Sequence, residues 1–135
     1  MDETLAQLAL NKPNLLGNAF GLSPGVSFGA GTTVIATAMF TMPQAGFLQA
    51  WGTAFITKDD APGLVNFGIE VDGVLQPNVG TAIGFALGEK KSLTVLAHLA
   101  VAAGLHTVTL VASSNPGNST VLPNEGSVLV DGSTS

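Results

Sequence analysis

From Thr32 onward, apolar residues recur at every second position through most of the chain. Val34, Ala36, Ala38, Phe40 and Met42 fall on one side of a first run, and Thr33, Thr37 and Thr41 mark the other. A period of two predicts a strand with one face against a core. Pro43-Gln44-Ala45-Gly46 ends that run as a turn. In the next run Phe47, Gln49, Trp51, Thr53, Phe55 and Thr57 alternate with Leu48, Ala50, Ala54 and Ile56. Both faces are apolar or small, the pattern of a strand covered on both sides, and Trp51 is expected as a core or interface anchor.

Lys58 to Gly63 reads as an exposed loop. Val65, Phe67, Ile69 and Val71 form an inward row that runs into Asp72-Gly73, a strong two-residue hairpin signal, with Pro77 closing the return strand early. Ile83, Phe85 and Leu87 make a short strand ahead of the charged Gly88-Glu89-Lys90-Lys91. Leu93, Val95, Ala97, Leu99 and Val101 alternate up to the turn Ala102-Ala103-Gly104, and His106, Val108 and Leu110 follow it. Ser113 to Thr120 reads as a polar loop, and Val128 and Val130 hold a last strand. Short strands separated by turn signals predict one all-β domain over residues 25–135, a sandwich or a barrel, with an antiparallel β-sandwich of two packed sheets as the expectation. Its expected core contains Phe40, Trp51 or its neighbours, Phe67, Ile69, Phe85, Leu99, Val108 and Leu110.

Residues 1–24 are different. Leu5, Leu8 and Ala9 sit at i, i+3 and i+4, with Asp2 as an N-cap and Asn11-Lys12-Pro13 as a stop, so a short helix over residues 2–10 is predicted. A Gly- and Pro-rich tract follows over residues 13–31. Leu5, Leu8, Leu15, Leu16, Phe20 and Leu22 are too much apolar surface for a solvated tail. The expectation is an N-terminal arm outside the sheets that docks on a neighbouring subunit; the alternative is a frayed tail.

Composition adds a reason to expect neighbours. Only 10% of the 135 residues are charged, where about 25% is ordinary, and mean hydropathy is +0.46. Ala, Gly, Thr and Ser stand where a monomer would carry a mixed charged surface. The chain holds no Arg and four Lys against nine acids, so it lacks the basic patch that nucleic acid or an anionic membrane surface requires. There is no Cys for disulfides or thiolate metal sites. No apolar run approaches the ~18 residues of a membrane-crossing helix. The acidic start Met1-Asp2-Glu3 does not resemble an export signal, so synthesis in a cytoplasm is expected.

Candidate chemistry is thin. Glu70 and Asp72 share a strand face but flank a solvated hairpin, a poor setting for paired-carboxylate hydrolysis. His98 and His106 flank the 102–104 turn. A three-residue loop would pair 100 with 106 and put both rings on one face. A four-residue loop would pair 101 with 106 and separate them, and it matches Leu99 with Val108 and Ala97 with Leu110. The second register makes His106 a hydrogen-bonded rim residue and His98 an outward, intersubunit one. No catalytic residue, metal site or cofactor is expected.

Two segments carry a resemblance. Ala38-Met39-Phe40-Thr41-Met42-Pro43-Gln44-Ala45-Gly46-Phe47 is similar to the strand–proline–glycine–aromatic entry of jelly-roll domains of the tumour necrosis factor and complement-head type. Leu99 to Leu110 resembles their aliphatic strand, Gly turn, aliphatic strand return. The chain also resembles the small jelly-roll virion proteins of tailed bacteriophages. The absence of Tyr and of an export signal favours the phage type. That resemblance implies a jelly roll, a homotrimer, and a head decoration (cement) protein that binds the major capsid protein on the capsid surface after synthesis in the host cytoplasm. The alternatives on the same fold are the receptor-binding head of a tail fibre and a bacterial surface recognition module.

Overall fold

A computed structural model describes residues 15–76 and 81–134. Among them there is no helix; the helix expected over residues 2–10 lies outside the described residues. Eleven strands form two antiparallel sheets. They are β1 (Leu15–Leu22), β2 (Val26–Phe28), β3 (Thr33–Met42), β4 (Gly46–Lys58), β5 (Gly63–Val71), β6 (Val74–Leu75), β7 (Thr81–Phe85), β8 (Lys90–Val101), β9 (Gly104–Asn115), β10 (Ser119–Val121) and β11 (Gly126–Ser133). Sheet A runs β1-β11-β4-β8, and β10 and β2 continue it beyond the end of β11. Sheet B runs β3-β9-β5, with β6 and β7 sharing the far edge of β5. Packed face to face, the two sheets make a jelly-roll β-sandwich.

Inward positions follow the alternation. Leu48, Ala50, Ala54 and Ile56 of β4, Leu93, Val95 and Ala97 of β8, and Val128 and Val130 of β11 meet Phe67, Ile69, Val108 and Leu110 of sheet B. Gly52 sits opposite Leu110: a Cβ there would lie 2.4 Å from a Leu110 methyl, so glycine lets the sheets close at mid-span. Phe85 is buried as expected, and Phe40 and Leu99 pack half-buried against this core.

Several expectations need correction. Leu15–Leu22 does not lie outside the sheets; as β1 it pairs with β11 from Leu15↔Ser133 to Leu22↔Ser127. Leu16, expected at a partner contact, instead packs against the chain's own core. Trp51 is not in the core: it lies half-buried on the outward face of β4, because the inward places beside it are filled by Ala50 and Gly52, which leaves the interface alternative of its expectation open. Among the described residues β4 is therefore covered on one side only. Val34 is exposed because a register shift between Val34 and Ala36 puts Ile35 and Ala36 inside together. Lys58 is not in an exposed loop. It ends β4, wholly buried, and its Nζ donates to the carbonyl of Pro116. Ser113 and Ser114 belong to β9, and Ser119 and Thr120 to β10, so the loop between them is only a tight turn.

The 102–104 turn is also not a hairpin. β8 pairs with β4, while β9 pairs with β3 and β5, so the chain crosses here from one sheet to the other. Neither proposed register exists. Ala97 and Leu110 do share the core, but from opposite sheets.

Candidate functional site

The outward face of sheet A can be built rung by rung. Along β4 the outward residues are Phe47, Gln49, Trp51, Thr53 and Phe55. Register with β11 and β8 sets Leu129 and Leu96 on either side of Trp51, and register with β1 sets Phe20 beside Leu129. Phe20–Leu129–Trp51–Leu96 is thus a continuous apolar stripe across four strands. Phe20 is 69% exposed and Leu96 54%. Leu22, Phe55 and Leu15 extend the patch along the strands, each about half-exposed. These side chains present on the order of 600 Å² of apolar surface, at the top of the range for a monomer's largest patch.

The rung beside the stripe is polar: Asn18, Asp131, Gln49 and His98. His98 is exposed, as expected, and its ring stacks on Phe47 at 5.3 Å between centroids with 4° between planes. Thr53 and Thr94, on the far side of the stripe, approach hydroxyl to hydroxyl at 3.3 Å. Asp131 and His98 are the only ionisable groups among the described residues of these three rungs. One ion pair borders the patch: Lys90, paired with Glu125 at 2.9 Å, holds its Nζ 5.9 Å from the centroid of the Phe55 ring; Lys91 pairs with Glu89 at 3.4 Å and lies over Phe85 instead.

Of the residues expected at a partner contact, Leu15, Phe20, Leu22 and His98 meet on this face, and Leu16 turns inward. Leu5 and Leu8 lie outside the described residues. Sequence reading did not include Leu96, Leu129 and Phe55; the outward parity of each strand was the signal that could have found them.

The other candidate groups sit apart. His106 is a hydrogen-bonded rim residue on β9, held by Asp72 and by the Ala102 carbonyl, and it lies on the other sheet from His98. Glu70 opens on a cleft in the outer face of sheet B. Among the described residues no group of three or more His, Asp or Glu could hold a metal ion.

Comparison with known proteins supports the fold and stops there. The chain matches an Eiger tumour necrosis factor from S. frugiperda over 90% of its own length and 93% of that chain, with TM-score 0.57 and 10% identity. It also matches latent PorU from Porphyromonas gingivalis over 92% of its length but only 14% of that chain, with TM-score 0.53 and 14% identity. A sugar-binding EclA C-terminal domain aligns over 78% of this chain and 77% of that one, with TM-score 0.47 and 14% identity. No protein-family model matches the chain, and no curated protein sequence does.

Proposed function

We propose that this chain is a non-enzymatic structural protein that assembles as a homotrimer through the outer face of sheet A and decorates a bacteriophage head as a cement protein. The observation that carries the reading is the Phe20–Leu129–Trp51–Leu96 stripe, an exposed apolar face with almost no charge to keep copies apart. A face of this size approaches the ~800 Å² per partner of a stable protein interface. The threefold stoichiometry and the capsid setting come from the resemblance to phage jelly rolls. The apolar N-terminal residues Leu5 and Leu8 are assigned to the contact with the major capsid protein. Sedimentation equilibrium tests the assembly: a species of three times 13.6 kDa is expected, and a monomer at micromolar concentration overturns it. Copy number in purified particles tests the setting, with hundreds per particle expected and a handful refuting cement.

One observation favours a second reading, a recognition module such as a tail-fibre head or a bacterial surface domain. It is the cleft on sheet B, which a purely structural clamp does not need.

A further inference from the structure

The cleft in the outer face of sheet B has a volume of about 390 Å³. Three rungs of the sheet build it. Ser113, Asn66 and Ala82 form one rung, Val111 and Gly68 the next, and Thr109, Glu70 and Leu75 the third. Along β5 the outward sequence is therefore amide, gap, carboxylate. Gly68 supplies the gap, since a residue with no side chain at the middle rung leaves the floor to its own backbone and to Val111. Outward positions two apart along a strand are roughly 7 Å from each other. Asn66 and Glu70, four apart, thus stand roughly 13 Å from each other on opposite rims, a span that a six-membered ring with hydroxyls hydrogen-bonded at both edges fills when the two side chains lean inward.

The rims differ in hydrogen-bonding character. Asn66 Nδ2 donates to Ser113 Oγ at 3.4 Å, which leaves the amide oxygen as an acceptor and the serine proton as a donor. Glu70 is half-exposed and has no ion-pair partner among the described residues. Its carboxylate offers acceptors only. Among the described residues no cation lines the cleft, so a phosphate or carboxylate ligand would meet repulsion from Glu70. A flat body with an apolar face and hydroxyl donors around its edge fits both floor and rims.

We propose that this cleft is a binding site for a neutral pyranose sugar. The ring's carbon face lies over the middle rung at Gly68, against the wall made by Leu75. Two neighbouring hydroxyls donate to the Glu70 carboxylate, and a hydroxyl on the opposite edge meets Asn66 and Ser113. The site is on the sheet that the proposed trimer contact does not use, so it stands or falls independently of that contact.

The test is an amide-shift titration of the full chain with glucose, galactose, mannose and N-acetylglucosamine in turn. At least one sugar is expected to shift Gly68, Asn66, Val111 and Ser113 saturably, at about millimolar concentration. Glu70→Gln should weaken that binding about tenfold, the loss of a charge-assisted hydrogen bond, and Ser113→Ala should weaken it less. Each variant is first shown to melt like the parent. Absence of saturable shifts in the cleft with all four sugars overturns the proposal. So does undiminished binding by Glu70→Gln, or a set of shifts confined to another surface.

Discussion

His106 and Asp72, 34 positions apart, are locked together at one end of sheet B: Nδ1 of the ring lies 2.7 Å from Oδ2 of the carboxylate. The opposite ring nitrogen lies 2.7 Å from the carbonyl oxygen of Ala102, and the second carboxylate oxygen accepts the Thr107 amide at 2.8 Å. Both neighbours of the imidazole are acceptors, so both nitrogens must donate, and the favoured ring is the charged one. The contact ties the Asp72-Gly73 hairpin, in which both residues have positive φ, to the crossover at 102–103.

This arrangement makes stability depend on pH in a stated direction. The Ala102 carbonyl, and then the Asp72 carboxylate, hold the His106 pKa above its ordinary 6.5. Its contribution is complete below that unfolded value and is lost as pH rises through the higher folded value. The His106 hydrogen bond, and then the Thr107 amide, lower the Asp72 pKa from 3.8. That contribution is present above 3.8 and is lost as pH falls through the lower folded value. Asp72 is half-exposed, so screening keeps the pair to about 1 kcal/mol. The difference in melting temperature between the parent and His106→Gln should be largest between about pH 4 and 6.5 and shrink above that range. A difference that grows with alkalinity, or a ring pKa below 6.5 by nuclear magnetic resonance, contradicts the assignment.

Gly21 of β1 should not tolerate a side chain. A Cβ there would come 1.8 Å from the Thr37 carbonyl oxygen and 2.6 Å from its carbon, and backbone cannot rotate away. Gly21→Ala should therefore cost about 2–3 kcal/mol as β1 lifts from β3. Gly31→Ala, where nothing lies within 4 Å, should stay within about 0.5 kcal/mol of the parent. Urea denaturation of both distinguishes the outcomes; a neutral Gly21→Ala would mean that β1 does not pack where it is placed.

The sandwich was legible because Val65–Val71, Leu93–Val101 and Val108–Leu110 keep strict parity. β1 was not, because its inward residues include Gly17, Ala19 and Gly21, whose smallness is the condition for close approach and erases the apolar signal. The side of Trp51 was hidden for the same reason: Gly52 is an inward residue that looks like a blank. A crossover between sheets and a hairpin share the pattern of strand, small turn, strand, so residues 99–110 could not show which was present. On the outward face, Phe20, Leu96 and Leu129 become one stripe only through register across four strands, which alternation within a strand does not encode.

A carboxylate in the middle of that stripe should separate the copies while sparing the fold. Leu96 is 54% exposed in the single chain, so Leu96→Glu should change stability by less than about 0.5 kcal/mol. In an assembled face the same carboxylate would be buried beside Trp51 without a partner, weakening association by about a hundredfold or more. Leu105→Glu, on the outer face of sheet B and similarly exposed, is the control and should assemble like the parent. Equal sedimentation of all three proteins would remove sheet A from the assembly.

Truncation separates the strand from what precedes it. Deleting residues 1–14 leaves all of β1 in place, with its pairing to β11 and the packing of Leu16 and Ala19 on the core. That variant should melt within about 3 °C of the parent. Deleting residues 1–22 removes β1, strips the outer edge of β11 and uncovers apolar surface between the sheets. An exposed strand edge invites pairing with other chains, so this variant should lose several kcal/mol and aggregate. The two deletions also divide the functional proposal. Leu5, Leu8 and Leu10 are lost in both, and burying each on a partner would contribute roughly 1.5–3 kcal/mol. If those residues hold the chain to a capsid, the 1–14 deletion should be folded, should still form trimers through sheet A, and should no longer co-sediment with capsids. Full co-sedimentation by this variant would take the capsid contact away from the N-terminal residues, while loss of trimers would show that they take part in the assembly face itself.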